Sequence, residues 1–229
     1  MPVTNDIMAE SPTPPTIVIA DDHPLVCTAL SYTLRNAIRN CTLHTAGTLT
    51  QLETVIDTHP ELDLALLDLH MPGTQGFSGL LWLRGHCPQL PVIVISSDDH
   101  PRTVARAEQF GAAGFLSKSA PLPQMADGIQ RVLAGDVCFE PHSQQSNAGD
   151  ARLAAQLSQL TSQQMRVLMC IAEGMLNKQI AHELSLAENT VKVHVTAVLH
   201  KLGCRTRTHA ALLVRRLEAQ DSGGSGPAR

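Results

Sequence analysis

Two rhythms of apolar and polar residues divide the chain. From Thr16 to Gly135, short apolar runs alternate with longer amphipathic stretches. The runs Thr16–Ala20 (TIVIA), Leu43–Ala46, Leu62–Leu67 (LDLALL), Val92–Ser96 (VIVIS) and Gly114–Ser117 predict five strands. Several are apolar on both faces, as expected of parallel strands covered on both sides. The stretches between them, broken at Gly and Pro, predict helices. Five strand-then-helix units predict an open α/β fold, a five-stranded parallel sheet with helices on both faces. Sites in such sheets form at the carboxyl ends of the strands.

The second rhythm, from Leu160 to Gln220, is helical throughout. Thr161 and Gln164 have capping-box spacing ahead of an apolar stripe of Met165, Val167, Leu168 and Ile171, which stops near Gly174. A short helix over Asn177–Leu184 would bury Ile180, Ala181 and Leu184. The turn Ser185-Leu186-Ala187 leads to a third helix, Glu188–Leu202, ended by Gly203. A fourth runs over Arg207–Ala219 with Thr206 as N-cap. In the third helix Val191, Val195, Val198 and Leu202 are spaced 4, 3 and 4, which makes one apolar face. The other side presents Asn189, Lys192, Val193, Thr196 and His200. Two helices joined by a short turn, the second with this polar and basic face, fit a helix-turn-helix whose second helix enters a DNA major groove. Lys178, Lys201, Arg205 and Arg207 would add phosphate contacts, which position without specifying. A solvated face in a four-helix interaction module fits the same spacing.

The organisation expected is a leader over 1–15 with four prolines, an α/β domain over 16–135, a polar linker over 136–157 holding a short helix, a helical domain over 158–220, and a tail over 221–229. Aromatic residues are only 3% against 43% apolar, so the core must be built from Leu, Val, Ile and Ala. The net charge of −4 argues against a general polyanion binder. That charge is unevenly spread, with 7 basic and 11 acidic residues from Thr16 to Gly135 but 8 basic and 4 acidic from Ser158 to Gln220. An acidic half and a basic half imply two tasks. None of the six cysteines has C-x-x-C or zinc-site spacing, so they are expected as reduced, mostly buried thiols. No apolar run approaches the roughly 18 residues needed to span a bilayer, and no signal-peptide pattern opens the chain. A soluble, cytoplasmic protein without membrane partners is expected.

Candidate chemistry collects at strand ends. Asp21 and Asp22 follow the first strand, Asp68 the third, Ser96 ends the fourth, and Lys118 lies just past the fifth. Clustered carboxylates raise one another's pKa, and a hard divalent cation such as Mg²⁺ relieves the repulsion through oxygen ligands. The cation and a lysine would then neutralise an incoming phosphoryl group, with Asp68 placed centrally as its acceptor. Taken singly, Asp22 fits a helix cap ahead of Pro24, and Asp68 before Met71-Pro72-Gly73 fits turn chemistry. Together, five such residues in this order favour the phosphoryl site.

The segments IVIADDHPLV, LLDLHMPG, VISS and GFLSKS resemble the receiver domain of bacterial response regulators, a flavodoxin-like fold, over Thr16 to Gly135. The resemblance implies that Asp68 accepts a phosphoryl group from a cognate histidine kinase. It implies Mg²⁺ held by Asp22, Asp68 and the backbone carbonyl of His70, with Asp21 acting through a metal-bound water. Ser96 and Lys118 would contact the phosphoryl group, and Phe115 stands at the aromatic switch position, often Tyr. Ser119 replaces the usual Pro after the lysine, which argues for a trans peptide there. His70 and Asp98 sit two residues beyond Asp68 and Ser96, where they either tune the acyl phosphate's lifetime or stand by.

LTSQQMRVLMCIAEGMLNKQIAHELSLAENTVKVHVTAVLHKLG is similar to the LuxR-type (NarL/FixJ) DNA-binding domain, an all-α four-helix unit. By this resemblance Lys192, Val193 and Thr196 face bases or phosphates of double-stranded promoter DNA. Asn177, Lys178, Thr190 and His194 lie near the backbone, and Lys201 joins the set. The last helix, through Ala210, Leu213, Val214 and Leu217, would pair two copies into a homodimer on DNA. Three departures stand out: Gln164 where Glu is usual, Ala187 in place of a Ser/Thr cap, and Thr196 where Lys is common. The whole reads as a phosphorylation-dependent transcription regulator and not an enzyme. The rivals are a phosphorylation-independent DNA binder and an aspartyl-phosphate phosphatase. The second is disfavoured because Asp68-Leu69-His70 is not D-x-D.

Overall fold

A computed structural model describes residues 14–74, 76–139 and 148–219. The expected leader over 1–15 lies outside them but for residues 14 and 15, and the tail over 221–229 lies outside them entirely. The first domain runs β1 (Thr16–Ala20), α1 (Pro24–Ala37), β2 (Thr42–Ala46), α2 (Leu49–Thr58), β3 (Leu64–Asp68), α3 (Ser78–His86), β4 (Val92–Ser96), α4 (Pro101–Gln109), β5 (Gly114–Ser117) and α5 (Leu122–Leu133). All five strands are parallel, in the order β2-β1-β3-β4-β5. β1, β3 and β4 are buried at every position, which is why their sequences carry no polar alternation. The third strand begins and ends later than its apolar run, because Asp63 turns aside: its carboxylate accepts from Thr16 N at 2.8 Å.

Apolar side chains separate onto the two faces of the sheet. Ile17, Ile19, Leu64, Leu66, Ile93 and Ile95 pack under α1 and α5. Val18, Leu67, Val92 and Val94 face the other way, into a core shared with Leu80, Leu83 and Phe110. Period-2 alternation thus assigns each strand residue to one of two cores, although both are apolar.

The second domain contains α6 (Ala148–Leu157), α7 (Ser162–Ala172), α8 (Asn177–Glu183), α9 (Glu188–Lys201) and α10 (Arg207–Ala219). Thr161 and Gln164 form the expected capping box, with Gln164 N donating to Thr161 Oγ1 at 3.3 Å and Thr161 N to Gln164 Oε1 at 3.1 Å. Val191, Val198 and Leu202 are buried and Val195 half-buried, so the valine stripe is the inner face of α9. Ala187 gives α9 no side-chain cap.

The linker departs from expectation at its start, while the short helix expected within it is present as α6. Cys138 runs parallel to β5 as an extra bridge: Phe115 N donates to Cys138 O at 2.8 Å and Cys138 N to Ala113 O at 2.9 Å. A side chain at Gly114 would meet that carbonyl 2.8 Å away, so glycine admits the segment. Residues 148–157 are all helical, and α6 touches both domains. Asp150 lies 3.6 Å from Arg102 and 3.9 Å from Arg106 of α4, while Gln156 Nε2 donates to Leu202 O at 3.2 Å. The polar character of this stretch hid both contacts. α3 packs along α7 at its Gly85, where a Cβ would come within 2.9 Å of Met165 Cγ. All six cysteines are thiols; burial, with Glu173 and Glu183 nearby, pushes the Cys170 thiol up to about 11.

Candidate functional site

The carboxyl ends of β1, β3, β4 and β5 converge on one pocket. Asp21 and Asp68 are almost fully buried there, Ser96 is fully buried, and Asp22 is exposed. Lys118 Nζ lies 2.8 Å from Asp21 Oδ2 and 2.8 Å from Asp68 Oδ2, and so bridges two strand ends. This placement follows from the parallel sheet: β5 ends one residue before Lys118, whose backbone N–H donates to Ser96 O at 2.8 Å. The Lys118–Ser119 peptide is trans.

The electrostatics set these groups against one another. Burial pushes the Asp68 carboxyl above its usual range and Asp21 adds to it, while the Lys118 ammonium opposes both. Burial of Lys118 works against its charge, but its hydrogen bonds and attraction to Asp21 and Asp68 prevail and raise its pKa. One ammonium among three carboxylates leaves excess negative charge. Ligand atoms of Asp21, Asp22, His23 and Asp68 all lie within 4.8 Å of one another. Hard oxygen donors at this density form an acidic pocket suited to a divalent cation.

The neighbours expected from sequence divide in two. Phe115 is buried at the end of a cavity of about 320 Å³ that Val104, Gln124 and Phe139 also line. His70 is exposed and its backbone N–H donates to Asp68 Oδ1 at 3.2 Å. Asp98 shapes the start of α4, accepting from His100 N at 3.1 Å and from the Thr103 hydroxyl at 2.8 Å. His23, which the sequence reading passed over, sits inside the cluster. The run Asp21-Asp22-His23-Pro24 was the available signal.

In the helical domain Asn189, Thr190, Lys192, Val193 and Thr196 are exposed on the outer face of α9, with His194 half-buried. Lys178 is exposed on α8. Lys201 and Asn177 are engaged internally: Lys201 Nζ donates to Gln159 O at 2.8 Å and to Gln164 Oε1 at 2.7 Å, and Arg207 donates to Asn177 Oδ1 at 3.0 Å and to Met175 O. The pairing face expected on α10 is corrected in part. Ala210 and Val214 are fully buried, and α10 packs on α7 of the same chain, because a short four-helix unit needs this helix to close its core. Leu213 is half-buried, Leu212 beside it is half-exposed, and nothing is described of the Leu217 side chain.

Two family matches cover these two units. Residues 17–130 match the response regulator receiver domain, and residues 158–214 match the bacterial regulatory proteins of the luxR family. Among curated relatives, the glycerol metabolism activator of Pseudomonas putida is 38% identical over 205 residues, 86% of this chain and 93% of its own length. The chain belongs to the LuxR-type response regulators. Another relative, the nitrate/nitrite response regulator NarL of Escherichia coli K12, is 31% identical, covering 88% of this chain and 95% of its own. Solved structures share the fold. RcsB of Salmonella typhimurium superposes with a TM-score of 0.52 at 20% identity, over 89% of this chain and 99% of that one. An RcsB structure described as two dimers bound to two parallel DNAs gives 0.51 at 21%, over 88% and 98%. This response regulator is therefore a DNA-binding transcription regulator by family, and among its described residues no helix is long and apolar enough to cross a membrane.

Proposed function

We propose that Asp68 is the phosphoryl acceptor of a two-component switch that controls binding of α9 to promoter DNA. The observation that carries this reading is the Lys118 ammonium held 2.8 Å from both Asp21 and Asp68 at one sheet rim. A structural ion pair needs one carboxylate; here two buried ones share the same ammonium, and Asp22 lies beside them. Mg²⁺, held by Asp22, Asp68 and the His70 carbonyl with Asp21 through water, would supply the remaining neutralisation of phosphoryl oxygens. A carboxylate oxygen of Asp68 attacks the phosphorus of a histidine kinase's phosphohistidine. The P–N bond breaks, its electron pair stays on the kinase nitrogen, and an acyl phosphate forms. Lys118 then pairs with the phosphoryl oxygens and the Ser96 hydroxyl donates to one of them. Phe115, lacking the hydroxyl of Tyr, follows by packing alone into the cavity beside it.

The DNA surface comprises Lys192, Val193 and Thr196 toward bases or phosphates, with Lys178, Thr190 and His194 along the backbone. Lys201 and Asn177 bind their own chain and serve the surface by shaping it. Because the outer face of α9 is exposed, restraint before phosphorylation acts on pairing or domain placement and not by covering that helix. Domain limits of 16–135 and 158–220 are supported by the family matches at 17–130 and 158–214. Pairing on DNA as a homodimer is drawn from the RcsB structure described as dimers on DNA.

Acetyl phosphate with Mg²⁺ is expected to add one phosphoryl group to the full chain and to tighten promoter binding between 5- and 150-fold, on the order of 1–3 kcal/mol of coupling. Asp68→Asn should abolish the mass shift while leaving the circular dichroism unchanged. A labelled Asn variant, or unchanged DNA affinity after labelling, would overturn the scheme.

A further inference from the structure

We propose that the His23 imidazole is a third direct side-chain ligand, beside Asp22 and Asp68, of the divalent ion at the acidic pocket, and that it biases this site from Mg²⁺ toward ions that accept nitrogen donors, such as Mn²⁺ and Co²⁺. The inference rests on the phosphoryl-site reading of that pocket and deepens it.

Three observations converge. The first is distance. His23 Nδ1 lies 2.7 Å from Asp22 Oδ1 and 3.1 Å from Asp21 Oδ1. Adjacent ligands on an octahedral ion with bonds near 2.1 Å stand about 3 Å apart, so the nitrogen already has a neighbouring ligand's separation from both oxygens. It also lies within 4.8 Å of an Asp68 oxygen.

The second is local backbone. Pro24 follows His23 and is the first residue of α1, so His23 is confined to extended geometry (φ −92, ψ 105). Its own N–H donates to Asp21 Oδ1 at 2.8 Å, which closes the turn. The residue is held on the lip of the pocket by its neighbours on both sides.

The third is what the side chain does not do. His23 occupies the N-cap of α1, where Ser, Asp or Asn would satisfy the free N–H groups of the first turn. It makes no side-chain cap bond. The imidazole turns instead to the carboxylates, within hydrogen-bond distance of Asp21 Oδ1, although its side chain is 63% exposed. Beside it, Asp21 Oδ2 is buried and lacks an aligned hydrogen bond, although Lys118 is within ion-pair distance.

Mg²⁺ prefers oxygen and keeps its waters, whereas affinity for imidazole rises along the series from Mn²⁺ to Cu²⁺. A nitrogen ligand should therefore add little for Mg²⁺ and much for the others. The test uses the full chain. Mn²⁺ is titrated by electron paramagnetic resonance and displaced with Mg²⁺, and the bound Mn²⁺ is examined by pulsed resonance for ¹⁴N coupling. The wild type should show directly bound nitrogen and favour Mn²⁺ at least tenfold. His23→Ala should lose the ¹⁴N signal and about tenfold in Mn²⁺ affinity, with Mg²⁺ affinity held within twofold and the melting temperature unchanged. His70→Ala, the other nearby imidazole, should keep the signal. No ¹⁴N coupling in the wild type, a signal that survives His23→Ala, or equal weakening of both ions would overturn the assignment and leave the acidic site standing. Metal binding unchanged by Asp22→Asn would overturn the acidic site itself.

Discussion

Lys118 shows how much one side chain settles at the residue scale. Its ammonium is the cation 2.8 Å from each of Asp21 and Asp68, and its side chain is 14% exposed. Its pKa is raised in the fold, so its contribution is fully present below the ordinary lysine value of 10.5 and is lost only as pH climbs beyond it. Asp68 runs the opposite way. Burial raises its pKa above 3.8, so the folded state holds that proton more readily and the ionised carboxylate costs stability at neutral pH. Replacing Lys118 with Met strands two buried carboxylates together. The expected loss is about 3 kcal/mol in urea unfolding with EDTA present, and millimolar Mg²⁺ should recover much of it. An equal loss with and without Mg²⁺ would show that the acidic pocket holds no divalent ion. The five strand-end residues were legible in the sequence because each follows an apolar run. His23 was not, because at an N-cap a histidine reads as a turn residue until its ring direction is known.

The elements of both domains follow local signals closely, and their caps explain where they begin and end. Thr161 and Gln164 close α7 by reciprocal bonds, whereas α9 opens at Ala187 with no side chain to offer. Ala187 already has the extended backbone of a cap (φ −70, ψ 142), so Ala187→Ser requires no rearrangement. That change should stabilise the domain by about 1 kcal/mol, read as a rise in melting temperature. A neutral or lower value would mean that water or a neighbouring group already serves those N–H groups. The linker was misjudged at this scale. Its polar composition says nothing of Cys138, whose backbone joins the β5 edge, because main-chain bonding leaves no mark on side-chain pattern. Gly114 and Gly128 admit it, since a Cβ at either would collide with Cys138, an approach that the apolar pattern does not record.

At the level of the whole molecule, α3 resting on α7 joins the loop after Asp68 to the DNA-binding unit. Gly85 is the point of closest approach: a Cβ there would stand 2.9 Å from Met165 Cγ and 3.5 Å from Arg166 N. Gly85→Leu should wedge the helices apart, enlarging the radius of gyration by X-ray scattering and raising DNA affinity without phosphorylation. Unchanged dimensions would mean that the contact is loose enough to absorb the side chain. The same seam holds His86, stacked on Trp82 with ring centroids 4.0 Å apart and donating from Nδ1 to Trp82 O at 3.0 Å. Burial lowers its pKa, Arg166 lowers it further, and the Trp82 carbonyl and Asp57 oppose them. Arg166 of α7 supplies part of this lowering from across the seam, so protonating His86 works against docking, which is favoured above 6.5 and weakens as pH falls below it. Scattering between pH 7.5 and 5 should show progressive opening, and His86→Gln should flatten the dependence. Identical curves for both proteins would remove His86 from the account.

Apolar periodicity, caps and strand-end chemistry are local properties, and they were enough to specify a parallel sheet, the helices of the second domain and five of the residues at the acidic rim, while the helix-turn-helix reading also leaned on resemblance. Packing between distant segments is another matter. The resemblance offered Ala210 and Val214 for pairing, and closure of a small core took them. Asp150 read as linker polarity and lies beside Arg102 and Arg106, some 45 residues earlier in the chain. Lys201 read as a phosphate contact and binds the α7 cap. In each case the group's chemistry was written in the chain, while its partner was chosen by which surfaces had to be buried together.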